Sequence, residues 1–141
     1  MKVLVIDGQG GRMGKLLVEE IKRRCPGQEI YAVGTNSIAS SCMLKAGADH
    51  VATGQNPIVV NCADADVIVG PIGLVVADSL LGEVTPAMAL AIGRSRAPKV
   101  LVPVNKCQCY VAGVAELPLK QYIDSAAAKV AELLAAHEKA V

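Results

Sequence analysis

KVLVIDGQGGRMGKLLVEEI, residues 2–21, decides the fold. Its first six residues, 2–7, are an almost wholly apolar run rich in β-branched side chains, the pattern of a strand buried on both faces of a parallel sheet. The stretch 8–14 follows at once and carries glycines at 8, 10, 11 and 14. Met13, Leu16, Leu17 and Ile21 then recur at helical spacing, with Lys15, Glu19, Glu20, Lys22 and Arg23 on the other side. The segment therefore reads as strand, glycine turn and helix, the helix stopping near Cys25 ahead of Pro26 and Gly27.

Working outward, the same alternation repeats. Residues 29–33 read as a second strand and GTNS, 34–37, turns into a helix carrying Ile38, Cys42, Met43 and Leu44. A short strand is expected around 49–52, then a helix over 57–63 with Asn56 as cap and Pro57 at its first position. Residues 67–70 read as a fourth buried strand, 71–73 as its exit loop, and 74–81 as an apolar helix. Thr85 and Pro86 repeat the cap-plus-proline signal for a helix to about Ser95; 99–104 gives a fifth strand and 108–112 a brief sixth. From Leu119 onward one apolar stripe (Tyr122, Ile123, Val130, Leu133, Leu134) marks a long C-terminal helix. Strands alternating with helices predict an α/β fold: one doubly wound, Rossmann-like domain over 1–141, with a mostly parallel sheet of five to six strands in the order 3-2-1-4-5.

Composition bounds the function. The 141 residues are 52% hydrophobic and 19% charged with a formal charge of +1, so no basic face is available for a nucleic-acid backbone or an anionic membrane. Three Tyr with no Phe or Trp leave little for bases to stack on, which also argues against nucleic acid. The longest apolar run, 67–77, is broken by Gly and Pro and is shorter than the roughly 20 residues of a membrane helix. With only a short apolar stretch at the N-terminus and no small-residue cleavage site, a signal peptide is not expected, and the protein reads as cytoplasmic. Five irregularly spaced Cys then suit free thiols rather than a disulfide framework.

Chemistry points to the glycine turn. Gly8, Gly11 and Gly14 stand three apart, fitting G-x-x-G-x-x-G, with Gly10 in addition. In such turns the first glycine allows the tight bend, a central one lets the backbone approach a phosphate, the last lets helix and sheet pack, and the free N–H groups of the helix start face the anion. A tight turn without a ligand is the alternative. No acid closes the second strand to hold ribose hydroxyls; Thr35, Asn36 and Ser37 stand there instead, which tilts a nicotinamide reading slightly toward NADP. Gly70, Pro71 and Gly73, at the carboxyl end of the fourth strand, are neighbours of the turn in such a sheet, as are 54–56 and 105–107. Asp7 beside the first glycine would repel a phosphate unless it points away, caps a turn or holds a cation, and the cap is the preferred reading. A phosphotransfer P-loop fails twice, at Gln9 in the first glycine position and at Leu16 in that of the Ser or Thr for magnesium. Cys107 and Cys109 have no second tight pair to complete a metal site, and His50 and His137 stand alone, so no metal is expected.

GQGGRMGKLL resembles the cofactor turn of dihydrodipicolinate reductases, with the same Gly-Arg-Met-Gly ending. The resemblance implies NAD(P) on Gly8, Gly11, Arg12, Met13 and Gly14 and covers about the first twenty residues; that family's catalytic His and Lys segment and its substrate domain have no counterpart. Over its whole length the chain resembles a family of short bacterial Rossmann-like proteins catalogued as a domain of unknown function, through the glycine turn, VIVGPIGLVVADSLLGEVTPAMALAIG and NKCQCYVAG. Together these readings give an NAD(P)-binding protein, with a non-catalytic sensor or interaction module for another nucleotide or phosphorylated metabolite as the competing class. If it is an enzyme, it is an NAD(P)-dependent oxidoreductase whose site a second subunit completes. The apolar segments 74–81 and 86–92 exceed what one small domain need bury, so a homo-oligomer is expected.

Overall fold

All five residues of strand β1 (Val3–Asp7) are buried, and they alternate between two cores: Val3 and Val5 face one, Leu4 and Ile6 the other. That is why the segment carries no polar alternation. The computed structural model describes residues 1–104 and 108–140. After β1 come α1 (Arg12–Arg24), β2 (Ile30–Gly34), α2 (Ser37–Lys45), β3 (His50–Thr53), α3 (Gln55–Cys62) and β4 (Val67–Pro71). A 3-10 turn (Ile72–Val75), α4 (Pro86–Arg94), β5 (Lys99–Val102) and α5 (Leu119–Ala140) complete the order. The sheet is parallel with five strands in the order β3-β2-β1-β4-β5, as the sequence predicts.

One face of the sheet is covered by α1, α2 and α5, whose Leu17, Met43 and Val130 meet Val3, Val5 and Val69. The other is covered by α3, α4 and the 3-10 turn through Ile58, Ile92 and Leu74 on Leu4, Ile6 and Ile68. Because β2 and β3 lie on one side of β1 and β4 and β5 on the other, the chain reverses direction between β1 and β4, and the loops leaving their carboxyl ends diverge there to open a crevice.

Four expectations are corrected. Helix α3 begins at Gln55 with Gly54 as its N-cap, which places Pro57 inside the first turn, where its missing N–H costs nothing. Residues 74–81 do not form a helix: the 3-10 turn ends at Val75 and a series of turns runs to Glu83, with Asp78, Leu80 and Leu81 left-handed at φ 66°, 54° and 56°. Leu74 and Leu80 are buried there and Val75 packs partly buried against the same core, while Leu81 stands 96% exposed. The fifth strand stops at Val102, ahead of Pro103, which has no N–H for the ladder. Residues 108–112 form no strand, so the sheet among the described residues has five.

Candidate functional site

The glycine turn sits at the crevice between β1 and β4. Gln9 (φ 48°) and Gly11 (φ 77°) are both left-handed, and Gly11 N–H donates to the Gly8 carbonyl at 3.0 Å, so the chain reverses within three residues and enters α1. A Cβ on Gly11 would stand 2.7 Å from the Ala39 Cα, and one on Gly14 would stand 2.6 Å from Met43 Sδ and 2.8 Å from Asp7 Cβ. The three-apart glycines thus let α1, α2 and β1 pack together. Gly10 is different: nothing lies within 4 Å of its Cβ position, and it faces solvent.

Asp7 caps the turn. Its Oδ1 accepts the Gly8 N–H at 2.8 Å and its Oδ2 the Gly14 N–H at 2.6 Å, so both carboxylate oxygens are held by the backbone of the turn and helix start. Burial pushes the Asp7 carboxyl above its ordinary range, the two backbone hydrogen bonds pull it back, and the charge of Glu83 adds to the rise.

Glu83 is the residue that sequence reasoning missed. It leaves the loop between the 3-10 turn and α4, and its Oε1 accepts from Gln9 N–H at 2.8 Å, Thr35 Oγ1 at 2.7 Å and Asn36 Nδ2 at 2.7 Å. Burial raises the Glu83 carboxyl, but the hydrogen bonds from Thr35, Gln9 and Asn36 outweigh it and hold the group below its ordinary value. Glu83 is 74 residues from Gln9 and 48 from Thr35, so no local spacing reveals it. The available signal is topological: the loop that follows β4 must lie across the crevice from the loop that follows β1.

What stays open is a cavity of about 120 Å³ lined by Asp7 to Met13, Pro71 and Leu80. The N-cap residue of α1, Gly11, supplies no side-chain cap, and the N–H groups of Gly10, Arg12 and Met13 have no acceptor among the described residues. Arg12 is exposed and Met13 buried at the wall.

The other expected site residues divide. Thr35 and Asn36 reach the turn, but their side chains serve Glu83, and Asn36 Oδ1 also accepts from Ala39 N–H to cap α2. Ser37 is the exposed first residue of α2 and lines no part of this cavity. Pro71 lines the cavity, whereas Gly70 is buried in β4, where a Cβ would overlap the Ile6 carbonyl oxygen. Gly73 is buried too, its carbonyl accepting the Ser79 hydroxyl. Residues 105–107, including Cys107, lie outside the described residues. His50 stacks on Tyr31 with ring centroids 4.5 Å apart at the sheet edge, away from the crevice. Among the described residues no cluster of three or more His, Cys, Asp or Glu is placed to hold a metal ion, and no helix is long and apolar enough to cross a membrane.

Fold and turn define a Rossmann-like α/β domain, with its glycine turn at the point where the strand order reverses. The chain belongs to the family described as Domain of unknown function (DUF3842), whose model matches residues 2–135. No curated protein matches it. Among solved structures it is similar to a dodecameric FMN-dependent UbiX-like decarboxylase from Escherichia coli O157:H7, at 15% identity and a TM-score of 0.44, over 96% of this chain and 94% of that one.

The expectation of NAD(P), tilted to NADP, is corrected. The solved structure to which the chain is similar is FMN-dependent. In this chain several of the groups assigned to a dinucleotide are already engaged: Gly8 and Gly14 N–H on Asp7, and the Thr35 and Asn36 side chains on Glu83. The cavity of about 120 Å³ is also well below the roughly 300–1,000 Å³ of a site that encloses a drug-sized ligand.

Proposed function

We propose that this domain binds a ligand ending in a single phosphate, a mononucleotide or a phosphorylated metabolite, by seating that phosphate on the start of α1. The observation that carries the reading is the set of N–H groups at Gly10, Arg12 and Met13, without an acceptor among the described residues, at the start of α1 and on residues that line a cavity of about 120 Å³. The positive end of the α1 dipole and the exposed Arg12 guanidinium beside it favour an anion there. Gly10, with open space where a Cβ would be, is the point of closest approach for a phosphate. The rest of the ligand would lie along the crevice mouth, over Pro71 and Leu80.

The reading is of a binding domain that reports a metabolite, and self-association belongs to it. Most apolar residues of 74–81 and 86–92 find partners inside the chain, but Leu81 at 96%, Leu90 at 52% and Val60 at 58% exposure leave large apolar side chains in solvent.

A thermal melt with AMP, FMN, a sugar monophosphate and inorganic phosphate tests the proposal. A ligand at a hundredfold excess over its Kd stabilises by about 2.7 kcal/mol, enough to move the midpoint by several degrees. A shift with a phosphate-bearing ligand that its dephosphorylated counterpart does not give supports the reading. No shift with any member of the panel overturns it.

A further inference from the structure

The anion-binding groups of the turn are not all free: an anion from the chain itself already holds some of them. Glu83 Oε1 takes a backbone N–H from the glycine turn (Gln9, 2.8 Å) and two side-chain donors from the β2–α2 junction (Thr35 and Asn36, both 2.7 Å). These are three donors of the kind that hold a phosphate oxygen, drawn from the loops that follow β1 and β2.

The loop that delivers Glu83 is built as a unit. Asp78 N–H donates to the Val84 carbonyl at 2.7 Å and Val84 N–H to the Ser79 carbonyl at 3.2 Å, so the two ends of the loop are tied to each other. Between them Leu80, Leu81 and Gly82 run left-handed in succession, at φ 54°, 56° and 86°. Leucine does not favour that conformation, so the loop is held closed against local strain. Apart from the Glu83 carboxylate, its anchor at the turn is Leu80, 5% exposed, which lines the cavity wall. The absent side chain of Gly8 makes room for this arrangement: a Cβ there would stand 2.6 Å from Thr35 Oγ1, 3.0 Å from Leu80 Cδ1 and 3.2 Å from Glu83 Oε1.

We propose that residues 76–84 form an autoinhibitory latch, with Glu83 as a resident anion held by Gln9 N–H, next in the turn to the Gly10, Arg12 and Met13 seat, so that a phosphate entering that seat repels the carboxylate and releases it from Gln9, Thr35 and Asn36. The inference rests on the phosphate reading above and adds its regulation. Ligand entry frees the loop that carries Leu80 and the exposed Leu81, so occupancy of the glycine turn is converted into a change on the surface. A carboxylate on Gln9 N–H and a phosphate on the neighbouring amides of the same turn repel, so the two anions compete.

The test compares the wild type with Glu83→Ala and Glu83→Gln, using AMP, FMN and inorganic phosphate as probes in a binding titration. Removing the competitor should tighten binding of at least one probe by tenfold or more in Glu83→Ala. Glu83→Gln, which keeps the acceptor oxygen and loses the charge, should fall between and serves if the alanine variant does not fold. Binding seen only in the variants also supports the latch. A wild type that binds, with variants that bind equally or more weakly, overturns the latch and leaves the phosphate reading standing. No binding by any of the three proteins overturns both.

Discussion

Asp7 and Gly14 are joined across the glycine turn, the Gly14 N–H donating to Asp7 Oδ2 at 2.6 Å, so a buried carboxylate holds the third amide of α1. The bond makes Asp7 part of the scaffold. It also gives the fold a pH dependence of unusual sign for a carboxylate. A group whose folded pKa is raised binds its proton more tightly in the native state, so its contribution declines as pH rises from the unfolded value of about 3.9 through the folded one. Denaturant unfolding of the wild type and Asp7→Asn across pH 4–8 should show the wild-type advantage shrinking as pH rises. An advantage that grows with pH contradicts the assignment.

The four glycines of the turn should separate into packing and open positions. Gly14→Ala pushes a methyl against Met43 and Asp7, and overpacking of this kind costs about 1–3 kcal/mol, of which the better helix propensity of alanine returns up to ~1. Gly11→Ala adds a left-handed penalty of about 1–2 kcal/mol to its clash with Ala39. Gly10→Ala meets nothing, so its melting temperature should stay within about 2 °C of wild type, given how little a sub-kilocalorie change moves a domain of this size. Equal losses at all three positions would contradict the packing account.

Glu20 closes the other end of α1 on Arg23 and Arg24, and hydrogen bonds from Arg23 first, then Arg24, hold its carboxyl down at about 2. A depressed folded pKa contributes stability that is complete above the unfolded value near 4.3 and is lost as pH falls through about 2. The cluster is at the surface, so Glu20→Gln should cost less than about 1 kcal/mol at pH 7, and the cost should shrink markedly by pH 2. Chemical denaturation at the two pH values measures it.

Self-association is checked by light scattering at micromolar concentration. The proposal expects a mass that is a multiple of the chain's, reduced toward the monomer by Leu81→Ser, Leu90→Ser or Val60→Ser, since these carry the exposed apolar surface. A monomer in the wild type removes this part of the account.

The fold was legible because its signals are local. Residues 3–7 are apolar on both faces, Leu17 and Ile21 repeat at helical spacing, and Thr85 with Pro86 marks a helix start that the structure reproduces, Thr85 Oγ1 accepting from Met88 N–H at 3.2 Å. The segment 74–81 was misread because its apolar residues fit a helix by composition, while its conformation is set by what lies across the crevice: Leu80 must reach the turn and Glu83 the donors of Gln9 and Thr35. The glycine spacing was legible as a turn but not in its purpose, since Gly11 and Gly14 answer to Ala39 and Met43, which are remote in sequence. Thr35 and Asn36 were found as polar groups near the site, yet the partner they hold is an internal carboxylate that no pattern around residue 35 announces.

The most direct test of the central claim is an amide-resolved titration: the N–H resonances of Gly10, Arg12 and Met13 followed by heteronuclear NMR as AMP, FMN or inorganic phosphate is added. The account expects these three to shift saturably and together with at least one probe, with the amides of Gly8 and Gly14, held by Asp7, moving far less. Resonances at Gly10, Arg12 and Met13 that stay fixed while the ligand binds elsewhere, or that move with none of the probes, contradict a phosphate site at the start of α1.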